Sequence, residues 1–125
     1  MLYSVLIYAV DGLFERLPEA EREAYMEQHY ALQRLHEGKG TLGPVAKLMG
    51  PASAVTVTRR ADTVQVVDGP YAETKEQLLG FYIFDCETIE EAIEAAKALP
   101  ADIATYEVRP IQWAGGQTLV SADDT

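Results

Sequence analysis

The chain has 125 residues, which is the length of one domain. With 48% hydrophobic and 24% charged residues, its composition is that of an ordinary globular protein and excludes disorder, collagen and a coiled coil. Ten Lys and Arg against twenty Asp and Glu give a formal net charge of −10, and the longest basic run is Arg59-Arg60. Because an acidic surface repels phosphate backbones, we expect no nucleic-acid partner.

The cysteine content and the N-terminal segment exclude several further classes. A single cysteine, Cys86, cannot form an intrachain disulfide, and no Cys and His cluster has the spacing of metal ligands. We expect no metal and, since phosphate loops and dinucleotide fingerprints are missing from the sequence, no cofactor. The apolar N-terminal run stops at Asp11 and has no basic segment before it. This favours a first strand over a signal peptide or membrane span, and the expected location is the cytoplasm.

The first half of the chain predicts a strand followed by a helix. Residues 2–10 are apolar at both alternating sets of positions, which is typical of a central strand. Pro18 and the glutamates after it mark the start of a helix that should end at Gly38. The predicted buried stripe of this helix, with Leu32 and Tyr25 at one side, consists of Leu17, Ala20, Ala24, Gln28, Ala31 and Leu35.

The second half predicts strands around one further helix. A short strand falls within 41–49, the β-branched runs 55–59 and 63–67 form a hairpin, and 79–86 is a strand that is apolar on both faces. Thr88 and Glu91 have the spacing of a capping box. The stripe of that helix is Ile89, Ala92, Ile93, Ala96 and Leu99, and a last strand over 104–113 places Glu107 and Arg109 on one face.

This order of elements predicts an α+β, ferredoxin-like fold over residues 1–114, followed by a flexible tail over 115–125. Both helices lie on one face of an antiparallel sheet, with the hairpin as an insertion. The other face has no helix to cover it, although two of its strands are apolar on both sides. We therefore expect a second copy of the chain to cover that face, which gives a homodimer.

A segment at 68–82, DGPYAETKEQLLGFY, is similar to the signature DGPFAETKEQLGGFY of the YCII-related proteins of the DGPF type. The departures are Tyr71 in place of Phe and Leu79 in place of the first Gly of a pair. Residues 107–110, EVRP, match a second element of that family, and the order of elements agrees from residue 1 to about 113. The resemblance implies a ferredoxin-like fold that pairs as a dimeric α/β barrel.

The same resemblance implies two classes of function. Other branches of that barrel superfamily are small-molecule enzymes, such as muconolactone isomerases and monooxygenases, and some YCII relatives are credited with a His–Asp acid–base pair. Genes of the DGPF type often lie beside extracytoplasmic-function sigma factors. One expectation is therefore an enzyme of isomerase, dehalogenase or lactone-type chemistry on a small molecule. The alternative is a non-catalytic ligand-binding or regulatory module linked to sigma-factor signalling.

His29 and Asp68 are the candidate catalytic residues. His29 lies about 120° from the centre of the predicted stripe, at the edge of the packed face, and imidazole is the natural proton carrier near neutral pH. The alternative is an exposed histidine with no role. Asp68 would orient His29, as a carboxylate does beside imidazole, or would simply be a turn residue.

Four further residues are candidates for substrate binding. Three of them, in the loop after Asp68, also fit a solvated, charged turn. For Arg109, an ion pair with Glu107 is the simpler interpretation. These residues are Tyr71, Glu73, Lys75 and Arg109.

Overall fold

The computed structural model describes residues 1–117. The tail expected over 115–125 therefore falls mostly on residues 118–125, outside the described residues. The elements, in chain order, are β1 (Leu2–Val10), α1 (Glu19–Lys39), β2 (Leu42–Lys47), a 3₁₀ turn (Pro51–Ser53), β3 (Val55–Arg60), β4 (Thr63–Asp68), β5 (Glu76–Asp85), α2 (Ile89–Lys97) and β6 (Thr105–Pro110).

Four of the strands form one antiparallel sheet in the order β2-β5-β1-β6. The other two, β3 and β4, pair with each other as a separate hairpin, whose turn places Ala61 at φ 51°. The predicted α+β class, with an antiparallel sheet, two helices and an inserted hairpin, is confirmed for the described residues. The strand order is compatible with a ferredoxin-like fold.

The core lies between the sheet and the two helices. Alternate residues of β1 are buried on the helix side, where Val5 lies opposite the fully buried Tyr82 of β5. Helix α1 packs there through Leu32, and α2 packs through its alanines. The intervening residues of β1, among them Leu6 and Tyr8, are partly exposed on the face that carries no helix within residues 1–117.

Helix α2 begins where the sequence predicted it. The Thr88 hydroxyl accepts a hydrogen bond from the Glu91 backbone N–H at 3.4 Å, and the Glu91 carboxylate accepts one from the Glu87 N–H at 3.1 Å. Ala95 takes the buried place that the predicted stripe gave to Ile93, which is exposed. The helix is therefore fixed by its cap and by small residues that allow close approach to the sheet.

The predicted stripe of α1 is wrong. The side chains that face the sheet are those of Tyr25, His29, Leu32 and His36. The helical residues of the predicted stripe are exposed instead: Ala20, Ala24, Gln28, Ala31 and Leu35. The two sets differ by one position, a rotation of about 100°. The observed face prevails because it places imidazole rings against the aromatic rings of β5, His29 against Tyr82 and His36 against Phe84.

Gly80 of β5 provides a test of how closely β2 and β5 approach. A Cβ atom built at this position would lie 2.7 Å from the backbone oxygen of Ala46, which cannot move aside. We expect Gly80→Ala to lower the free energy of unfolding by about 1–3 kcal/mol. The matched control is Gly38→Ala, since Gly38 is helical and has nothing within 4 Å of its added Cβ.

That control should raise the free energy of unfolding by about 0.5–1 kcal/mol, because alanine restricts the unfolded chain. Urea unfolding curves measure both changes. Equal effects of the two substitutions would contradict the close approach at Gly80.

Candidate functional site

His29 lies on the buried face of α1, and one of its ring nitrogens is hydrogen-bonded to a side chain of the sheet. Its side chain is 8% exposed, and Nδ1 lies 2.8 Å from the hydroxyl oxygen of Tyr82. Gln33, one turn further along α1, donates a hydrogen bond from Nε2 to the same hydroxyl at 3.0 Å. The three side chains therefore form a chain that joins the helix to the centre of β5.

The hydrogen bonds of this chain indicate where the proton of His29 lies. Because Gln33 donates to the Tyr82 oxygen, the one hydroxyl hydrogen of Tyr82 points to its remaining partner, Nδ1 of His29. The reverse arrangement would leave a buried O–H without an acceptor, at a cost of about 1–3 kcal/mol. The neutral imidazole of His29 then carries its proton on Nε2.

The Nε2 atom of His29 is open to a cavity. It has no hydrogen-bond partner within residues 1–117, yet none of the buried polar side-chain atoms described there lacks one, so Nε2 is accessible. The cavity beside it has a volume of about 160 Å³ and lies between α1, the sheet and the segment that follows β1. Its walls are mostly apolar, with Ile7, Ala9, Phe14, Met26, Leu48 and Leu79 among them.

A β-bulge in β5 shapes the wall of the cavity. Ile7 of β1 pairs with Gly80, but the next residue of β1, Tyr8, pairs with Leu78, so Leu79 is an extra residue in β5. Leu79 and Gly80 both line the cavity. The bulge therefore changes the strand at the point where the cavity meets the sheet.

Burial controls the protonation of this site. Burial, and next the positive charge of Lys47, lower the pKa of His29 to about 4. The imidazole is therefore neutral at neutral pH. Burial also raises the pKa of Tyr82, although the hydrogen bond from Gln33 opposes this rise. Burial and the charge of Glu15 together raise the pKa of Tyr25, whose ring lies 5.0 Å from that of His29.

The structure does not bring Asp68 to His29 within one chain. Asp68 ends β4, is exposed, and lies opposite Val55 in the hairpin. It makes no hydrogen bond or ion pair with His29 and does not line the cavity. In a single chain, the group that orients the imidazole is the hydroxyl of Tyr82. The interpretation of His29 as an exposed histidine is wrong, because the helix is rotated relative to the predicted one.

The loop that follows Asp68 is exposed and is held by its own side chains. Gly69 has φ 110°, a conformation that favours glycine. Gln77 donates from Nε2 to the carbonyl oxygens of Ala72 and Thr74 at 2.9 Å each, and the Thr74 hydroxyl donates to the Glu76 oxygen at 2.6 Å. The binding candidates of this loop, which are all exposed and do not line the cavity, are Tyr71, Glu73 and Lys75.

Arg109 lies on the other face of the sheet. It forms an ion pair with Glu107, two residues earlier in β6, and Glu107 also accepts a hydrogen bond from the Tyr8 hydroxyl at 3.3 Å. Glu107 pairs with Leu6, whose side chain lies on the face without helices. The cavity of His29 lies on the helix side, so one chain does not bring Arg109 and His29 together.

His36, the second buried imidazole, has a structural role. Thr41 donates its hydroxyl hydrogen to the carbonyl oxygen of His36 at 3.2 Å, so the hydroxyl oxygen accepts from Nδ1–H of His36 at 2.8 Å. The C-terminal end of α1 is thereby closed onto the start of β2, beside Gly40 at φ 72°.

Sequence reasoning missed Gln33 and Lys47 as site residues. One signal was present: Tyr25, His29 and Gln33 are spaced four residues apart and share one face of a helix. Tyr82, the partner of His29 and Gln33, lies 53 residues beyond His29, so only the pairing of β5 with the rest of the sheet brings it there.

Two further properties bear on the class of site. Among residues 1–117, no group of three or more His, Cys, Asp and Glu side chains is arranged to hold a metal ion. In the same part of the chain, no helix combines the length and the apolar character needed to cross a membrane.

The sequence that forms this fold and site identifies the family of the protein. The model of the YCII-related domain matches residues 1–113. An uncharacterised protein of Rhizobium meliloti (strain 1021) is 42% identical over 114 residues, which cover 89% of this chain and 92% of that protein. The chain belongs to the YCII-related family, which confirms the resemblance inferred from the segment at 68–82 at the level of that family, while the DGPF type stays a prediction.

The low pKa of His29 predicts a loss of stability in acid. The unfolded chain binds a proton at His29 with a pKa of about 6.5, whereas the folded chain binds it only near 4. Falling pH therefore favours the unfolded state between these values. From pH 7 to pH 4.5 this costs on the order of 2–3 kcal/mol.

Urea unfolding at both pH values, on the wild type and on His29→Gln, measures this cost. The carboxylates contribute to both proteins, so the variant should lose less stability by roughly that amount. The same pH dependence in both proteins would contradict the burial of a neutral imidazole.

Proposed function

We propose that the protein is a small-molecule enzyme whose active site is the cavity beside His29. One observation carries the proposal: a buried, neutral imidazole is held by Tyr82 and presents its free ring nitrogen to an apolar cavity. An oriented imidazole with one open nitrogen in a concave, mostly apolar site is the arrangement expected of a ligand site.

The chemistry that this arrangement supports is the stabilisation of negative charge on a small organic substrate. A neutral imidazole N–H can stabilise negative charge that develops on a substrate oxygen, without having to ionise first. The apolar walls exclude water and strengthen that interaction. Isomerisation or dehalogenation next to a carbonyl, and the opening of a lactone, pass through negative charge on oxygen, which supports the enzyme class expected from the sequence.

We propose further that two chains pair through the open face of the sheet, as in a dimeric α/β barrel. Leu6 and Phe81 lie opposite each other on that face, and Ile83 lies on the same face two residues along β5. A cluster of large apolar side chains at the centre of a sheet face is rarely left in water. A second copy would cover it with the same residues, as a twofold contact requires.

The pairing of Asp68 with His29 then requires the second subunit. Within one chain Tyr82 already occupies Nδ1, and Asp68 is on an exposed hairpin end. We retain Asp68 and its loop as a site element only in this form, as a contribution across the dimer.

A second candidate function is the ligand-binding or regulatory module linked to extracytoplasmic-function sigma factors. The hairpin favours it, because one face of β3 and β4 carries four exposed valines: Val55, Val57, Val64 and Val66. An exposed apolar face is a common feature of surfaces that bind other proteins.

Substitution of His29 tests the enzyme. Ligands are first found by thermal shift in a library of small organic acids, ketones and lactones, and their turnover is followed by NMR. We expect His29→Gln to lower turnover by about a hundredfold or more and Tyr82→Phe to lower it by about tenfold, because an unoriented imidazole is a poorer catalyst.

The matched control is His36→Gln, the same change at a buried histidine that does not line the cavity. It should keep turnover once circular dichroism has shown that it folds. Binding at His29 without turnover of any ligand would favour the binding module. An activity that Asp68→Asn also removes would support a contribution across the dimer.

The proposed dimer predicts a specific change in mass. The wild type should scatter light as twice the chain mass of 13.8 kDa at micromolar concentration. Phe81→Glu buries a carboxylate in the contact and should give a monomer. Leu35→Glu is the control, since Leu35 is exposed on the outer side of α1. A wild-type monomer, or a Phe81→Glu dimer, would contradict pairing through this face.

A further inference from the structure

The size of the His29 cavity limits the ligand. Its volume is about 160 Å³. An apolar protein cavity of roughly 150 Å³ holds one benzene molecule. The cavity therefore has room for an apolar body of about one six-membered ring, and Ile7, Phe14 and Leu48 supply walls of matching character.

The polar groups around the cavity define the charge that the ligand should carry. His29 offers the Nε2–H donor, by the hydrogen-bond arrangement described above. Lys47 supplies the one ammonium group that lines the cavity within residues 1–117, and it forms no ion pair with the side chains described there. Its Nζ instead lies 4.9 Å from the centre of the Phe14 ring. Two donors with no protein acceptor favour an anionic oxygen.

The carboxylates of the cavity do not cancel this preference at His29. Asp11 and Glu15 line the cavity on the segment that follows β1. Lys47 is the charged side chain that acts on the imidazole of His29, whereas Glu15 acts on Tyr25. The His29 end of the cavity is therefore the end that favours an anion.

We propose that the cavity binds small carboxylates whose apolar body is about one six-membered ring, with the carboxylate accepting from Nε2–H of His29 and facing Lys47. This inference rests on the proposed function, because it assigns a ligand class to the same site. The ring packs against the apolar walls, and the orientation is fixed by the two donors at one end.

The test uses three probes of the same size and different charge: benzoate, benzyl alcohol and benzylamine. Each is titrated into the full chain, and the ring nitrogens of His29 are followed by long-range proton–nitrogen NMR, with His36 as internal reference. We expect benzoate to shift the His29 signals and to bind at least about tenfold more tightly than benzyl alcohol, since charge-assisted hydrogen bonds exceed neutral ones by this much. Benzylamine should leave His29 unchanged.

A pair of lysine variants separates the effect of the Lys47 charge on binding from the effect of the apolar cavity walls. Lys47→Gln should weaken benzoate binding by about tenfold and leave the affinity for benzyl alcohol unchanged. Lys97→Gln is the matched control, because Lys97 pairs with Glu94 on α2 and does not line the cavity. It should change neither affinity.

The outcomes distinguish the ligand class from the proposed enzyme. Equal affinities for benzoate and benzyl alcohol, or an unchanged benzoate affinity in Lys47→Gln, would overturn the carboxylate class while His29 remained a binding site. If none of the three probes shifts His29, the cavity is not a site and the proposed function fails with it. Selective benzoate binding, even without turnover of any screened acid, would support the ligand class.

Discussion

The burial of two imidazole rings on the inner face of one helix is the constraint on which the arrangement of this protein depends. A buried polar ring is tolerated only when its nitrogens are satisfied or open to solvent. Tyr82 meets this need for His29 and Thr41 meets it for His36. These two contacts fix the rotation of α1 on the sheet and close its C-terminal end onto β2. The position of the cavity is a consequence of the first contact.

The face of α1 could not be predicted from apolar spacing, for a specific physical reason. The helix has alanines and one leucine on its outer side, and its packed side includes two histidines and a glutamine, which hydropathy counts as polar. A periodicity argument therefore selects Ala24 and Leu35 over His29 and His36. The strands were predicted better, because β1 and β5 are continuous apolar runs bounded by polar or turn residues, and the cap of α2 is a local feature of Thr88 and Glu91.

The segment at 68–82 shows what a sequence motif reveals and what it hides. Its density identified the family, and the family model confirms that assignment. Part of that density has a local cause, since Gly69 takes a positive φ and Gln77 binds two carbonyl oxygens of its own loop. The residue of the segment that contacts His29 is Tyr82, at its end, rather than Asp68 at its start. The motif thus spans an exposed loop and a buried strand, and the spacing alone does not separate the two.

The two faces of the sheet connect the proposed site to the proposed dimer. Ile7 and Ala9 line the cavity, and the residues that alternate with them in β1, Leu6 and Tyr8, belong to the open face. The bulge at Leu79 lies in the neighbouring strand at the same level. A strand that is covered on its open face can shift less, so pairing of two chains would restrict the backbone that forms the cavity wall. The assembly would then hold the distance between Tyr82 and His29, on which the orientation of the imidazole depends.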